Sequence, residues 1–255
     1  MTLTDALRAE VAKARTHPPL VAAILATIVL TLAFCVLDAR PDLGLSTPQT
    51  AGVYAMANLS FFAAVVGVLI ASSEYGGGQL TASVLAVPRR GRILVAKLMV
   101  SATVTTMLGI LLAVFVATIV QAPLGEHSVH ATGTSGTLLR SLALATCSWT
   151  AIGVIGTCAA VAFRSQTAVL TGMIALSFGG TPLMMAVPVF QYLPTNAGVL
   201  MFIDRPNQTS DWLNPPDVSV PVAGITLAVW CVAAVAAAAA SLARRDIGAR
   251  HAVSV

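Results

Sequence analysis

Six stretches of this chain run for 18 residues or more without a charged side chain: 20–37, 52–73, 98–125, 141–163, 165–203 and 218–243. No other property of the sequence limits its fold so tightly. A helix needs about 20 predominantly apolar residues to cross the hydrocarbon core of a bilayer, and each of these runs approaches or exceeds that length. Composition points the same way. Hydrophobic residues make up 57% of the chain, charged residues 9%, and the mean hydropathy is +0.87. Soluble domains carry about 25% charged residues, so a chain with so few could not cover its surface in water. Five runs correspond to one span each. The sixth, 165–203, is long enough for two, but Gly179-Gly180, Pro182, Pro188 and Pro194 interrupt its second half. It is expected to hold one span followed by broken outer structure. The predicted fold is therefore all-α: a polytopic membrane protein forming one domain over 1–255, with six transmembrane helices at 20–37, 53–73, 98–121, 141–163, 167–187 and 219–242.

Basic residues set the expected orientation. Arg8, Lys13, Arg15, Arg89, Arg90, Arg92, Lys97, Arg164, Arg244, Arg245 and Arg250 fall on one side of these spans, and only Arg40, Arg140 and Arg205 on the other. Short loops rich in Lys and Arg stay in the cytoplasm, so both termini are expected inside a cell membrane. The net charge of +4 then reflects topology, and nucleic acid is not an expected partner. The first apolar run is long enough to remain as a span rather than be removed as a signal peptide. Cys35, Cys147, Cys158 and Cys231 all lie inside predicted spans, where they read as small buried hydrophobes, and they have no metal-ligand spacing.

Residues 3–16 form an amphipathic segment. Leu3, Leu7 and Val11 recur every four residues, with Ala14 nearby, while Asp5, Arg8, Lys13 and Arg15 lie elsewhere on the wheel. Thr2 or Thr4 is suited to cap it, and Pro18-Pro19 separates it from the first span. An interfacial helix along the inner leaflet is expected, its basic residues near lipid headgroups. Gly67, Gly109, Gly153, Gly156, Gly172 and the alanines of 236–240 mark helix-packing faces, because small residues let helices approach closely in lipid. The outer segment 188–218 is rich in proline, and Tyr192 and Trp212 suit the membrane–water interface. Broken, re-entrant helical pieces folding back at the outer surface fit it.

The segment 74–97 joins the second and third spans. Gly76, Gly77 and Gly78 let the chain turn sharply. From Gln79 a short helix is predicted to Val87, with Leu80, Val84 and Val87 on one apolar stripe. Pro88 stops it, and Arg89, Arg90 and Arg92 follow. Arg92 and Lys97 are expected near the headgroups as the third span begins. A helix of this length is marginal alone, so its stripe needs a surface. On spacing alone two readings stay open: a helix docked on a soluble partner, and an ordinary basic loop resting on its own membrane.

Glu74-Tyr75, the glycines, Leu80, Leu85, Pro88-Arg89-Arg90 and Lys97 together resemble the signature of the type-2 permease family of ATP-binding-cassette transporters, which joins the second and third of six spans in that family. The chain's length, the amphipathic N-terminal helix and Tyr192-Leu193-Pro194 in the outer segment extend the resemblance over nearly the whole sequence. The resemblance implies that the helix from Gln79 to Val87 is a coupling helix seated in a cleft of a cytoplasmic ATPase. Leu80, Val84 and Val87 would supply apolar contact, and Arg89, Arg90 and Arg92 would meet acidic groups or lipid phosphates. Glu74 would pair with a base or cap the helix. The triple glycine departs from relatives that place a larger polar residue after the aromatic. The family works with two ATPase copies and two permease subunits, identical or related. Its members are mostly exporters and move drugs, antimicrobial peptides, lipids and glycans. The resemblance makes a bacterial cell membrane the expected location. An interior without fixed charges favours an amphipathic or hydrophobic substrate.

Lys13 and Lys97 are the only lysines, and neither lies in a G-x-x-x-x-G-K-[ST] loop. ATP and Mg are thus expected on a separate ATPase, and the chain itself is not expected to be an enzyme or to bind a cofactor. Other classes fit less well. A secondary transporter or channel usually needs ionisable groups at membrane depth, and the predicted span interiors have none. Gly133-Thr134-Ser135-Gly136 matches an intramembrane serine-protease motif but lies in a polar outer loop, with only His127 and His130 near it. A scaffold without transport activity is the remaining class.

Overall fold

The computed structural model of the chain describes residues 2–38, 52–72, 90–122, 135–203 and 218–251. Among these residues the backbone is helical and contains no strand. In chain order the α-helices are α1 (Leu3–Thr16), α2 (Pro18–Asp38), α3 (Val53–Asn58), α4 (Phe61–Ser72), α5 (Arg90–Phe115), α6 (Ser135–Phe163), α7 (Gln166–Ala186), α8 (Pro194–Leu200) and α9 (Val220–His251). A π turn, Val116–Val120, extends α5, and a 3-10 turn, Pro188–Tyr192, links α7 to α8. Four stretches are long and apolar enough to cross a membrane: Pro18–Leu37, Gly91–Val120, Ser135–Phe163 and Val220–Ala243. A chain built this way fits a membrane-embedded protein.

These spans differ in how far other helices cover them. Within its most apolar window α6 is 61% buried, against 33% for the α5 stretch, 22% for α2 and 17% for α9. α6 is therefore the central element, packed against α4, α5 and α9. Its contacts with α4 and α5 are made at backbone distance. A Cβ at Gly67 of α4 would collide with the Gly153 carbonyl of α6, one at Gly156 would lie 2.6 Å from Ala64 O, and one at Gly153 would lie 2.5 Å from Thr105 Cγ2. Apolar side chains gain little by leaving lipid for protein, so such close approach is how membrane helices associate. Hydroxyls finish the junction: Thr157 Oγ1 lies 3.0 Å from Gly67 O and 2.7 Å from Ser101 Oγ, and Thr106 pairs with Thr150 at 2.7 Å.

The segment expected as one span over 53–73 is two helical pieces. At the joint the Ser60 N–H bonds Ala57 O, three residues back, instead of Met56 O. The freed Met56 carbonyl is taken by the indole N–H of Trp149 at 3.0 Å, and Trp149 is fully buried in α6. A backbone acceptor released in an apolar interior requires a replacement donor, which here comes from another helix. In the opposite sense, Gly179-Gly180 and Pro182 do not interrupt α7, which continues to Ala186 with Pro182 inside it. The chain turns back only at Val187. Thr195 and Asn196 of α8 then secure the return: Thr195 Oγ1 donates to Leu176 O at 3.2 Å, and Asn196 Nδ2 donates to Gly180 O at 2.9 Å and to Phe190 O at 2.8 Å. Trp230 of α9 closes the same region by donating to Tyr192 O at 2.7 Å. Phe61 at the start of α4 stacks on Phe62 and tilts against Phe178 of α7, with ring centroids 4.3 and 5.1 Å apart.

Candidate functional site at the junction of α1 and α5

Most residues singled out in the 74–97 segment lie outside the described residues: Glu74, Gly76, Gly77, Gly78, Gln79, Leu80, Val84, Val87, Pro88 and Arg89. The described chain meets that segment at its two flanks. α4 ends at Ser72 on one side, and α5 begins at Arg90 on the other. Arg90 opens α5, and Arg92 is half-buried in its first turn. The helix thus starts eight residues before the predicted span and carries Lys97 two turns in, about 10 Å along its axis at 1.5 Å per residue.

Lys97 is buried against α1. It is 4% exposed, and its Nζ lies 2.9 Å from Oε2 of Glu10 on α1, itself 5% exposed. The other oxygen, Oε1, accepts from Lys13 Nζ at 3.1 Å. Both carboxylate oxygens are thus engaged by ammonium groups, one from the same helix and one from a residue 87 positions away. Desolvating two charges is tolerated only when each finds a close, hydrogen-bonded partner. Removing Lys97 would leave the buried Glu10 carboxylate with one of its two ammonium partners, Lys13.

The sequence forms α1 at this position through two devices. Thr2 caps it: the Thr2 hydroxyl accepts from the Asp5 N–H while the Asp5 carboxylate accepts from the Thr2 N–H, a reciprocal capping box. The hydrogen bonds from the Thr2 hydroxyl and N–H hold the Asp5 carboxyl below its ordinary value of 3.8. The stripe of Leu7, Val11 and Ala14 packs on the core, and Ala6 beside it is buried. Arg8 and Arg15 remain on the more exposed side.

Glu10 is the residue that motif reasoning passes over. Its signal was present all the same. It stands seven residues after Leu3, three after Leu7 and four before Ala14, on the buried face of an otherwise regular amphipathic helix. An acid in that position requires a cation on whatever the face touches. The identity of that cation, Lys97 rather than an arginine, is not visible from spacing.

Chemically the site is an ion-pair joint. Among the described residues no group of three His, Cys, Asp or Glu side chains is arranged to hold a metal ion. No family model matches the chain, and no curated protein sequence matches it.

Proposed function

We propose that this chain is the transmembrane subunit of an ATP-binding-cassette transporter, exporting an amphipathic or hydrophobic molecule with ATP hydrolysed by a separate cytoplasmic ATPase. In this reading the chain crosses the cell membrane six times, through α2, the α3–α4 pair, α5, α6, α7 and α9, with both termini inside. α1 lies along the inner leaflet, and α8 belongs to a re-entrant outer segment. Two ATPase copies and a second permease subunit, a copy of this chain or a relative, complete the complex.

The observation that carries the reading is the signature running from Glu74-Tyr75 through Leu80 and Leu85 to Pro88-Arg89-Arg90 and Lys97, set between two apolar helices. An apolar stripe at Leu80, Val84 and Val87 followed by three arginines suits a cleft with an apolar floor and an acidic rim. The closing lysine of that signature is also the buried partner of Glu10 on α1, which links the end of the segment to the N-terminal helix. When ATP closes the ATPases, the coupling helices move with them and the two membrane subunits rock about their interface, opening a path outward between them.

Affinity purification of the chain from its native membranes in mild detergent tests this directly. The expected outcome is a stoichiometric ATPase carrying a phosphate-binding loop, lost when Leu80, Val84 and Arg89 are replaced. Absence of an ATPase even after crosslinking would overturn the proposal.

A further inference from the structure

Both flanks of the 73–89 segment carry buried polar contacts. Lys97 stands one turn before Ser101 on α5, and both are buried. Ser101 Oγ meets Thr157 Oγ1 of α6 at 2.7 Å, and Thr157 Oγ1 meets Gly67 O of α4 at 3.0 Å. On its other side Lys97 meets Glu10 of α1 at 2.9 Å. Buried polar contacts thus line up from α1 through α5 and α6 to α4, with Lys97 and Ser101 joined by the turn of α5 between them.

Within this line the joint at α1 differs from the others, because no glycine brings its backbones together. α4 and α6 interlock at backbone distance through Gly67, Gly153 and Gly156. α1 meets the bundle through Ala6, Leu7, Val11 and Ala14, small or smooth side chains with little directional preference. An ion pair with hydrogen-bonded geometry is directional where apolar contact is not. We propose that Glu10 and Lys97 are a positioning pair, which fixes the rotation and register of α1 against α5 so that α1 moves with the base of α5 as one body. Lys13 holds the second carboxylate oxygen and keeps Glu10 from rotating away. Any displacement delivered through the connecting segment then reaches α1, and through His17-Pro18-Pro19 reaches α2. The link to transport rests on the transporter reading, whereas the positioning role does not.

Two variants separate positioning from mere cohesion. In Glu10→Met/Lys97→Met the charges are gone but bulk and burial are kept, and such replacements of buried ion pairs commonly preserve stability. The full chain, in vesicles of phosphatidylethanolamine and phosphatidylglycerol, is spin-labelled at Ala12→Cys on the exposed side of α1 and at the native, exposed Cys147 of α6, with the other cysteines replaced by alanine. The expected result is an unchanged melting temperature together with a broadened or shifted distance distribution. An unchanged distribution would overturn the proposal, because apolar packing alone would then orient α1. If the double variant does not reach the membrane, Glu10→Asp is measured in its place. It keeps both charges but shortens the reach by one methylene, so the mean distance should shift, and an unshifted mean would overturn the proposal equally. Neither readout requires an ATPase. If the distances change as expected and no ATPase is captured, the positioning pair stands and the transporter reading falls.

Discussion

The α4–α5–α6 junction and the α1–α5 junction hold the same bundle together by opposite means. At the first, Gly67, Gly153 and Gly156 bring backbones into contact, and the uncharged Thr157, Ser101 and Thr106 supply short hydrogen bonds. At the second, no glycine is involved, and a carboxylate shared by two lysines carries the specificity. Lipid offers apolar side chains as good a solvent as protein does, so helices deep in the bundle gain most from closeness and from satisfied polar atoms. α1 carries enough charge to need pairing where it meets the bundle, and there a buried ion pair defines the contact. Burial alone does not mean the same thing in the two regions.

The sharpest way to break the comparison is Lys97→Met. It should destabilise the chain by about 4 kcal/mol, because Glu10 is left buried with only the partly exposed Lys13, and the double replacement with Glu10→Met should recover most of that loss. Unfolding in mixed micelles followed by tryptophan fluorescence checks both. Gly67→Ala comes next, at about 3 kcal/mol, since its Cβ would meet a carbonyl of the facing helix that cannot move aside. Gly172→Ala, where a Cβ meets nothing within 4 Å, should stay within roughly 0.5 kcal/mol and serves as the control. Trp149→Phe keeps an aromatic ring but strands the Met56 carbonyl, for an expected loss of about 2 kcal/mol in the same assay. The smallest effect is one of pH. The Asp5 carboxyl titrates below 3.8 in the folded chain, so the cap on α1 is intact above that value and is lost as pH falls through the lowered one. Amide exchange in the first turn of α1 should accelerate only in that acidic window, and an earlier onset would show that the cap is not what protects it.

Helical class and membrane-crossing length were legible in the sequence because both are local properties. A run without charges, its length and its flanking prolines need no knowledge of neighbours. The amphipathic stripe of α1 (Leu3–Thr16) was legible for the same reason at Leu7, Val11 and Ala14, which pack on the core, whereas Leu3 at the helix start is 40% exposed. The division of α3 from α4 was not. No proline lies at Leu59-Ser60, and the tightened turn there is tied to a distant indole that takes the released carbonyl. α7 runs over Gln166–Ala186, close to the span expected over 167–187; Gly179-Gly180 and Pro182, helix breakers by residue type, lie within it, and the return segment adds hydrogen bonds from Thr195 and Asn196. The candidate site divides likewise. The basic, glycine-opened character of 74–97 could be read directly, whereas the fate of Lys97 could not.

Uncharged runs, the capping residues of α1 and the acid on its buried face were set by the chain alone, since each depends on residues within a few turns of one another. Only tertiary structure decided that Gly67, Gly153 and Gly156 pack while Gly172 does not, and that Glu10 meets Lys97 across 87 positions. Contact between helices depends on how each is rotated about its own axis. That rotation is settled jointly by every neighbour, so no single stretch of sequence contains it.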